Sequence, residues 1–128
     1  MLRLKLLIIL ILVLNGRCAL ADQPLWRAMD QLASDKGCYL CHRAEAAKPG
    51  PNQMLPFAPS WTDIARRYKG QTDAEDRLTD IVLSGSGGRG KDVHWKGKVS
   101  DVGMLPNVRE IDEDQARQLV RWILSFAP

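Results

Sequence analysis

The five residues Cys38-Tyr39-Leu40-Cys41-His42 constrain this chain more than any other feature of its 128 residues. Two thiols three positions apart, with a histidine directly after the second, form the attachment signature of a c-type haem. The spacing carries the chemistry. Each thiol can form a thioether with one haem vinyl group, and His42 is then held beneath the iron as its proximal ligand. Two other chemistries use the same cysteines. A thiol–disulfide redox pair normally follows a strand and opens a helix, whereas this pair follows a helical pattern in a chain without strand-like alternation. Structural zinc asks for four spaced ligands, and here Cys38, Cys41 and His42 are crowded with no second cysteine pair. Haem attachment is the reading that uses all three residues.

The N-terminus speaks to compartment. Arg3 and Lys5 precede an unbroken apolar run from Leu6 to Leu14, Asn15-Gly16-Arg17 breaks it, and Ala19-Leu20-Ala21 forms an A-x-A site before Asp22. That order is a secretory signal peptide, and its apolar run is short for a bilayer span. Cleavage is expected after Ala21, leaving residues 22–128 as one exported domain with no stable membrane insertion. Cys18 follows Arg17 where a lipid-attachment signal has a small residue, so it is expected to leave with the signal. Export and the haem motif support each other, because haem c is attached after export.

Removal of residues 1–21 changes the charge. The chain has 18 Lys+Arg and 15 Asp+Glu; Arg3, Lys5 and Arg17 lie in that segment and no acid does, which leaves 15 of each. A nucleic-acid binder concentrates basic residues on one face, and a balanced domain does not fit that class. So small a domain also has a small core, which a buried cofactor would supplement.

Four helices are predicted, and no strands. The first runs from Pro24 to Lys36, with Leu25, Ala28, Met29 and Leu32 as its apolar stripe and Gly37 as its end. The second starts at Ser60, where Ser60-x-x-Asp63 resembles a capping pair; Trp61, Ile64, Ala65 and Tyr68 share one face, and Gly70 stops it. The third starts at Thr72 with Thr72-x-x-Glu75 as a capping box, continues through Ala74, Leu78, Ile81 and Val82, and ends at Gly85. The last starts at Asp112 with Gln115 three residues on; Ala116, Leu119, Val120, Ile123 and Leu124 form a complete core-facing stripe, widened by Trp122 and Phe126. The domain is expected to be all-α.

Two connections are long for a compact domain. Arg43 to Pro59 contains Pro49, Pro51, Pro56 and Pro59, and Ser84 to Ile111 contains six of the chain's ten glycines. A large ligand for these loops to wrap would account for both. A sixth iron ligand would separate an electron carrier from a ligand binder, and Met29, Met54, Met104 and His94 are the candidates. Met29 sits on a core stripe, where packing is its default role. Met54 lies in the proline-rich loop, and His94 is the only other histidine. Met104, in Gly103-Met104-Leu105-Pro106-Asn107 before the last helix, is the position from which a loop can close over the second haem face. His/Met ligation fills the iron's coordination and raises its potential.

Taken in order, these residues resemble the small bacterial class I cytochromes c. The match rests on four features: the N-terminal helix leading into Lys36-Gly37-Cys38-Tyr39-Leu40-Cys41-His42, Ala58-Pro59-Ser60-Trp61, Met-x-Pro-Asn at 104–107, and the helix ending Leu119-Val120-Arg121-Trp122-Ile123-Leu124. The resemblance implies one haem c attached through Cys38 and Cys41, with His42 and Met104 as iron ligands. It implies that the terminal helices cross, packing Met29, Leu32 and Ala33 against Leu119, Trp122 and Ile123. Pro59 matches the proline whose carbonyl accepts a hydrogen bond from the proximal histidine, Asn107 the residue that bonds the methionine sulfur, and Trp95 the tryptophan that bonds a haem propionate. Leu105 departs from the proline usual after the methionine, and both loops are longer than in the shortest members, which leaves Arg89 or Lys91 as alternative propionate partners.

The function so implied is outer-sphere transfer of single electrons in the periplasm, with no catalytic acid or base. Redox proteins would be donor and acceptor. Arg89, Lys91, Lys96 and Lys98 gather positive charge in one loop, where charge acts mostly on encounter rate; ordinary solvated loop charge explains them equally well. The alternative is a cytochrome subunit held permanently in a periplasmic oxidoreductase, such as a dehydrogenase complex.

Overall fold

Side-chain capping starts two of the helices, and the computed structural model shows where it acts. It describes residues 22–46, 54–86, 95–100, 102–107 and 109–127; the expected signal segment, Arg89, Lys91 and His94 lie outside these. Helix α1 is Asp22–Asp35, α2 is Trp61–Tyr68, α3 is Ala74–Ser84 and α4 is Glu113–Leu124, with a short 3-10 turn at Cys38–Leu40. The Ser60 hydroxyl accepts from Asp63 N at 3.1 Å and donates to Asp63 Oδ2 at 2.7 Å, which opens α2 as its sequence implies. At α4 the full capping box forms: Asp112 Oδ1 accepts from Gln115 N at 2.8 Å, and Gln115 Oε1 accepts from Asp112 N at 3.5 Å. Such caps satisfy N–H groups that the helix itself leaves unpaired.

Two sequence expectations are corrected. Thr72 does not cap α3, which begins two residues later, and Asp73 before it makes no side-chain cap. Glu75 is drawn away to another helix, where its Oε1 accepts from Arg117 Nη1 at 3.2 Å and Arg121 Nη2 at 2.8 Å. The stripe of α1 is also rotated. Leu25 is 57% exposed and Ala28 is exposed, while Met29 and Ala33 are buried. Ala33 sits at the contact between terminal helices, where its small side chain permits close approach.

The core lies where α4 packs against α1, α2 and α3 in turn. Met29 and Ala33 of α1, Trp61, Ile64 and Tyr68 of α2, and Ala116, Leu119, Trp122 and Ile123 of α4 form one cluster, with Leu32 and Leu78 at its edge. Aromatic rings dominate one end. Trp122 lies 4.7 Å from Trp61 and 5.4 Å from Trp26 between ring centroids, both edge-on, and Phe126 lies 5.1 Å from Trp122. Edge-to-face contacts suit the ring quadrupoles. The Trp122 Nε1 is buried and has no hydrogen-bond partner among the described residues.

An ionic bridge fastens α3 to α4 on the outside. Besides Glu75, Arg117 reaches Asp76 at 2.6 Å and Glu113 at 3.3 Å. The Arg121 hydrogen bond, assisted by Arg117, holds the Glu75 carboxyl below its ordinary pKa. A carboxylate lowered in the folded state stabilises above its unfolded pKa, and that contribution disappears as pH falls through the lowered value. Glu75→Gln is therefore expected to lower the melting temperature near about pH 7 and to match the wild type at about pH 2. A gap that persists undiminished in acid would exclude this ionic role.

Candidate cofactor site

The cysteine motif begins where α1 stops. Gly37, at φ +71°, takes the left-handed conformation that lets the chain turn from α1 into the 3-10 turn carrying Cys38, a conformation that costs glycine little. Cys41 N and His42 N both donate to Cys38 O, at 3.3 and 3.0 Å. This tight turn presents both cysteines and the histidine from one short segment. Both thiols are free, and burial pushes the Cys38 thiol up. Beside them, the Tyr39 hydroxyl donates to the Asp30 carboxylate and Lys36 Nζ to Glu110 O, tying the motif to α1 and to the turn before α4.

His42 is fixed by the segment that leads into α2. Its Nδ1 donates to Pro59 O at 2.9 Å, the donor role following from the carbonyl partner. The next residues continue the same register: Trp61 N donates to Arg43 O at 2.9 Å and Thr62 N to Ala44 O at 3.1 Å. The first N–H groups of α2, unpaired within the helix, thus hold the chain that follows His42. Burial lowers the His42 pKa, and the Pro59 bond partly raises it again. The imidazole is therefore neutral at pH 7, with Nδ1 donating to a carbonyl and the Nε2 lone pair available for a metal, as is usual for ligating histidines. Neither the Arg43–Trp61 nor the Ala44–Thr62 bond is legible in the sequence, since each joins backbone groups across a long loop.

Met104 lies in an extended strap, 102–107, fastened to the end of α3. Ser86 N donates to Met104 O at 3.1 Å, and Met104 N donates to Ser86 Oγ at 3.0 Å. Asn107 N donates to Leu83 O at 3.0 Å, and Asn107 Nδ2 to Val82 O at 3.1 Å and Leu105 O at 2.9 Å. Both amide hydrogens of Asn107 thus go to backbone carbonyls in this structure and not to the Met104 sulfur. Val82 O and Leu83 O, the latter bonded by the backbone N–H of Asn107, belong to the last turn of α3, where the helix leaves them unpaired. Asn107 caps α3 from a distance.

Trp95 opens the turn 95–98, and its ring is half-buried under the Arg67 guanidinium, 5.3 Å from the ring centroid. That turn is joined to the other long loop through Ser100 N, which donates to Pro56 O at 2.9 Å. Between the two loops a cavity of about 1290 Å³ opens beside the motif, lined by Cys41, Pro59 and Trp95 with Met54, Phe57, Arg67 and others. Neither His42 nor Met104 lines it, so the cavity lies on the flank of the attachment site. Met54 is 72% exposed there. Free paired thiols, a neutral histidine with one nitrogen spare and apolar loop side chains form a donor set that fits a covalently attached haem.

Comparison with known proteins agrees. The family described as "Cytochrome c" matches residues 30–127. The chain belongs to the cytochrome c family. Cytochrome c-552 of Hydrogenobacter thermophilus is 35% identical over 99 residues, covering 77% of this chain and 82% of that protein. Cytochrome c-551 of Allochromatium vinosum is 34% identical over 95 residues, covering 74% and 82%. The crystal structure of the class 1 cytochrome MtoD from Sideroxydans lithotrophicus superposes with a TM-score of 0.56 at 27% identity, over 80% of this chain and 96% of that one. This cytochrome c accordingly has the all-α class I fold and carries haem c bound through its Cys38-x-x-Cys41-His42 motif. Its similarity is to small electron carriers.

Proposed function

We propose that this cytochrome c is an exported, periplasmic one-electron carrier whose haem iron is ligated by His42 and Met104. The observation that carries the reading is the pairing of two separately fixed segments: His42 on Pro59 O, and the Met104 strap on Ser86. Bound haem supplies a reversible one-electron ferric/ferrous couple. The protein's own contribution is constancy: backbone bonds around His42 and Met104 keep each ligand's starting point the same in both redox states. Trp95, beside Arg67, is the residue proposed to bond a propionate. Export is supported by the sequence pattern of residues 1–21, with Asp22 the first residue after the proposed cleavage. Among the described residues no helix is long and apolar enough to cross a membrane.

Two measurements test this. The oxidised protein is expected to show the near-infrared charge-transfer band of an iron–methionine bond, and Met104→Ala to abolish it and lower the midpoint potential. A band that survives in Met104→Ala would move the sixth ligand elsewhere. Mass spectrometry of the exported protein should give Asp22 as its N-terminus.

A second reading is favoured by the length of the two connections, Arg43 to Pro59 and Ser84 to Ile111. Long loops in a compact domain often carry function, here a dedicated interface, as in a cytochrome subunit of a periplasmic oxidoreductase. Size exclusion of the native protein separates the two, since a stable larger complex excludes the diffusible carrier.

A further inference from the structure

The two hydrogen bonds between Ser86 and Met104 close a small ring: Ser86 N to Met104 O on one side, Met104 N to Ser86 Oγ on the other. With both main-chain polar groups of Met104 engaged by one residue, the direction of its Cα–Cβ bond is set before any ligand forms. The ring stands on Gly85, whose φ is +78° and where a Cβ would come within 2.6 Å of Met104 O and 2.9 Å of Pro106 N. The strap therefore lies against the backbone of Gly85 with no room for a side chain. Asn107 holds the same strap three residues on, through Leu83 O and Val82 O. Ser84 offers a contrast within the same turn. Its hydroxyl donates to Asp80 Oδ1 at 3.2 Å within α3, without a bond to the strap.

We propose that Ser86 is a positioning residue for the sixth iron ligand, its hydroxyl holding the Met104 main chain so that the thioether is presented at little ordering cost. The inference rests on Met104 being that ligand. Pre-organisation raises affinity by removing ordering cost at the moment of binding. Loss of the hydroxyl should therefore weaken methionine as a ligand and favour any competitor for the same position.

The test is imidazole titration of the oxidised, haem-loaded protein, with the near-infrared band and the reduction potential read on the same samples. One net hydrogen bond corresponds to a shift of roughly three- to tenfold in an equilibrium constant. Ser86→Ala is expected to bind imidazole tighter by that factor, with a weakened band and a lowered potential. Ser86→Thr, which keeps the hydroxyl, and Ser84→Ala should both stay within about twofold of the wild type. If Ser86→Ala binds imidazole as the wild type does while Met104→Ala binds it far more tightly, the role of Ser86 is refuted and the ligand reading stands. If Met104→Ala also binds imidazole as the wild type does, the ligand reading falls and takes this one with it. Should Ser86→Ala fail to fold, amide hydrogen exchange of the wild type decides: the Met104 N–H must be protected like that of Asn107, and free exchange there overturns the proposal.

Discussion

With Cys38 and Cys41 both changed to Ser, haem is expected to leave the denatured chain completely on extraction into acidified organic solvent, whereas the wild type retains all of it. The effect is all-or-none because a thioether survives unfolding and a coordination bond does not. Each single variant keeps one thioether and should retain its haem under the same extraction. Without either bond, stabilisation by haem depends on its free concentration, as for any ligand that binds only the folded state, so the melting temperature of the double variant should rise with added haem. Haem that remains with the double variant after denaturing extraction would point to attachment elsewhere in the chain.

Trp61→Ala is expected to lower the unfolding free energy by about 3–5 kcal/mol, the usual result of truncating a large buried aromatic. Trp61 is 1% exposed and touches three rings, with centroids 4.7 Å away at Tyr39 and Trp122 and 5.8 Å away at Phe126. Proteins have only about 5–15 kcal/mol in total, so this loss removes a large share of the stability. Denaturant titration measures the change, and Leu25→Ala is the control. Leu25 is 57% exposed, and truncating it should alter stability by no more than about 0.5 kcal/mol. A loss of less than about 1 kcal/mol for Trp61→Ala would contradict the aromatic core.

The contrast between these two residues shows what the sequence can and cannot disclose. Features that depend on residues three or four apart were legible: the caps at Ser60 and Asp112, the full buried face of α2, and the stripe of α4. Where a distant group competes, local reading fails. Thr72 and Glu75 have capping-box spacing, but Arg117 and Arg121 lie more than forty residues away and claim the carboxylate. On α1, periodicity gave weight to Leu25, and only the family resemblance pointed to the smaller Ala33 that the core holds. At the site, the histidine and cysteines were readable from spacing alone, and the Pro59 partner followed from family resemblance. The partners of Asn107 were not readable, because backbone carbonyls carry no side-chain signature. Ser86 was missed for the same reason, although its place beside Gly85, ahead of a long loop, is the pattern in which a backbone clamp would be sought.

The packing of α1 against α4 also governs how the chain can acquire its shape. Ala33 and Leu119 are 86 positions apart in the sequence and belong to one cluster. Closing a loop of that length costs an entropy that grows as the logarithm of its length, here about 4 kcal/mol before the constant is added. None of that is recovered until the final helix arrives, since α4 is the element that α1, α2 and α3 all touch. A chain truncated before Glu113 would lose the apolar face of α4 against which Met29, Ala33 and Trp61 pack. Closure of α1 on α4 therefore waits for the last helix, and a contact of that sequence separation forms slowly in comparison with a helical hairpin.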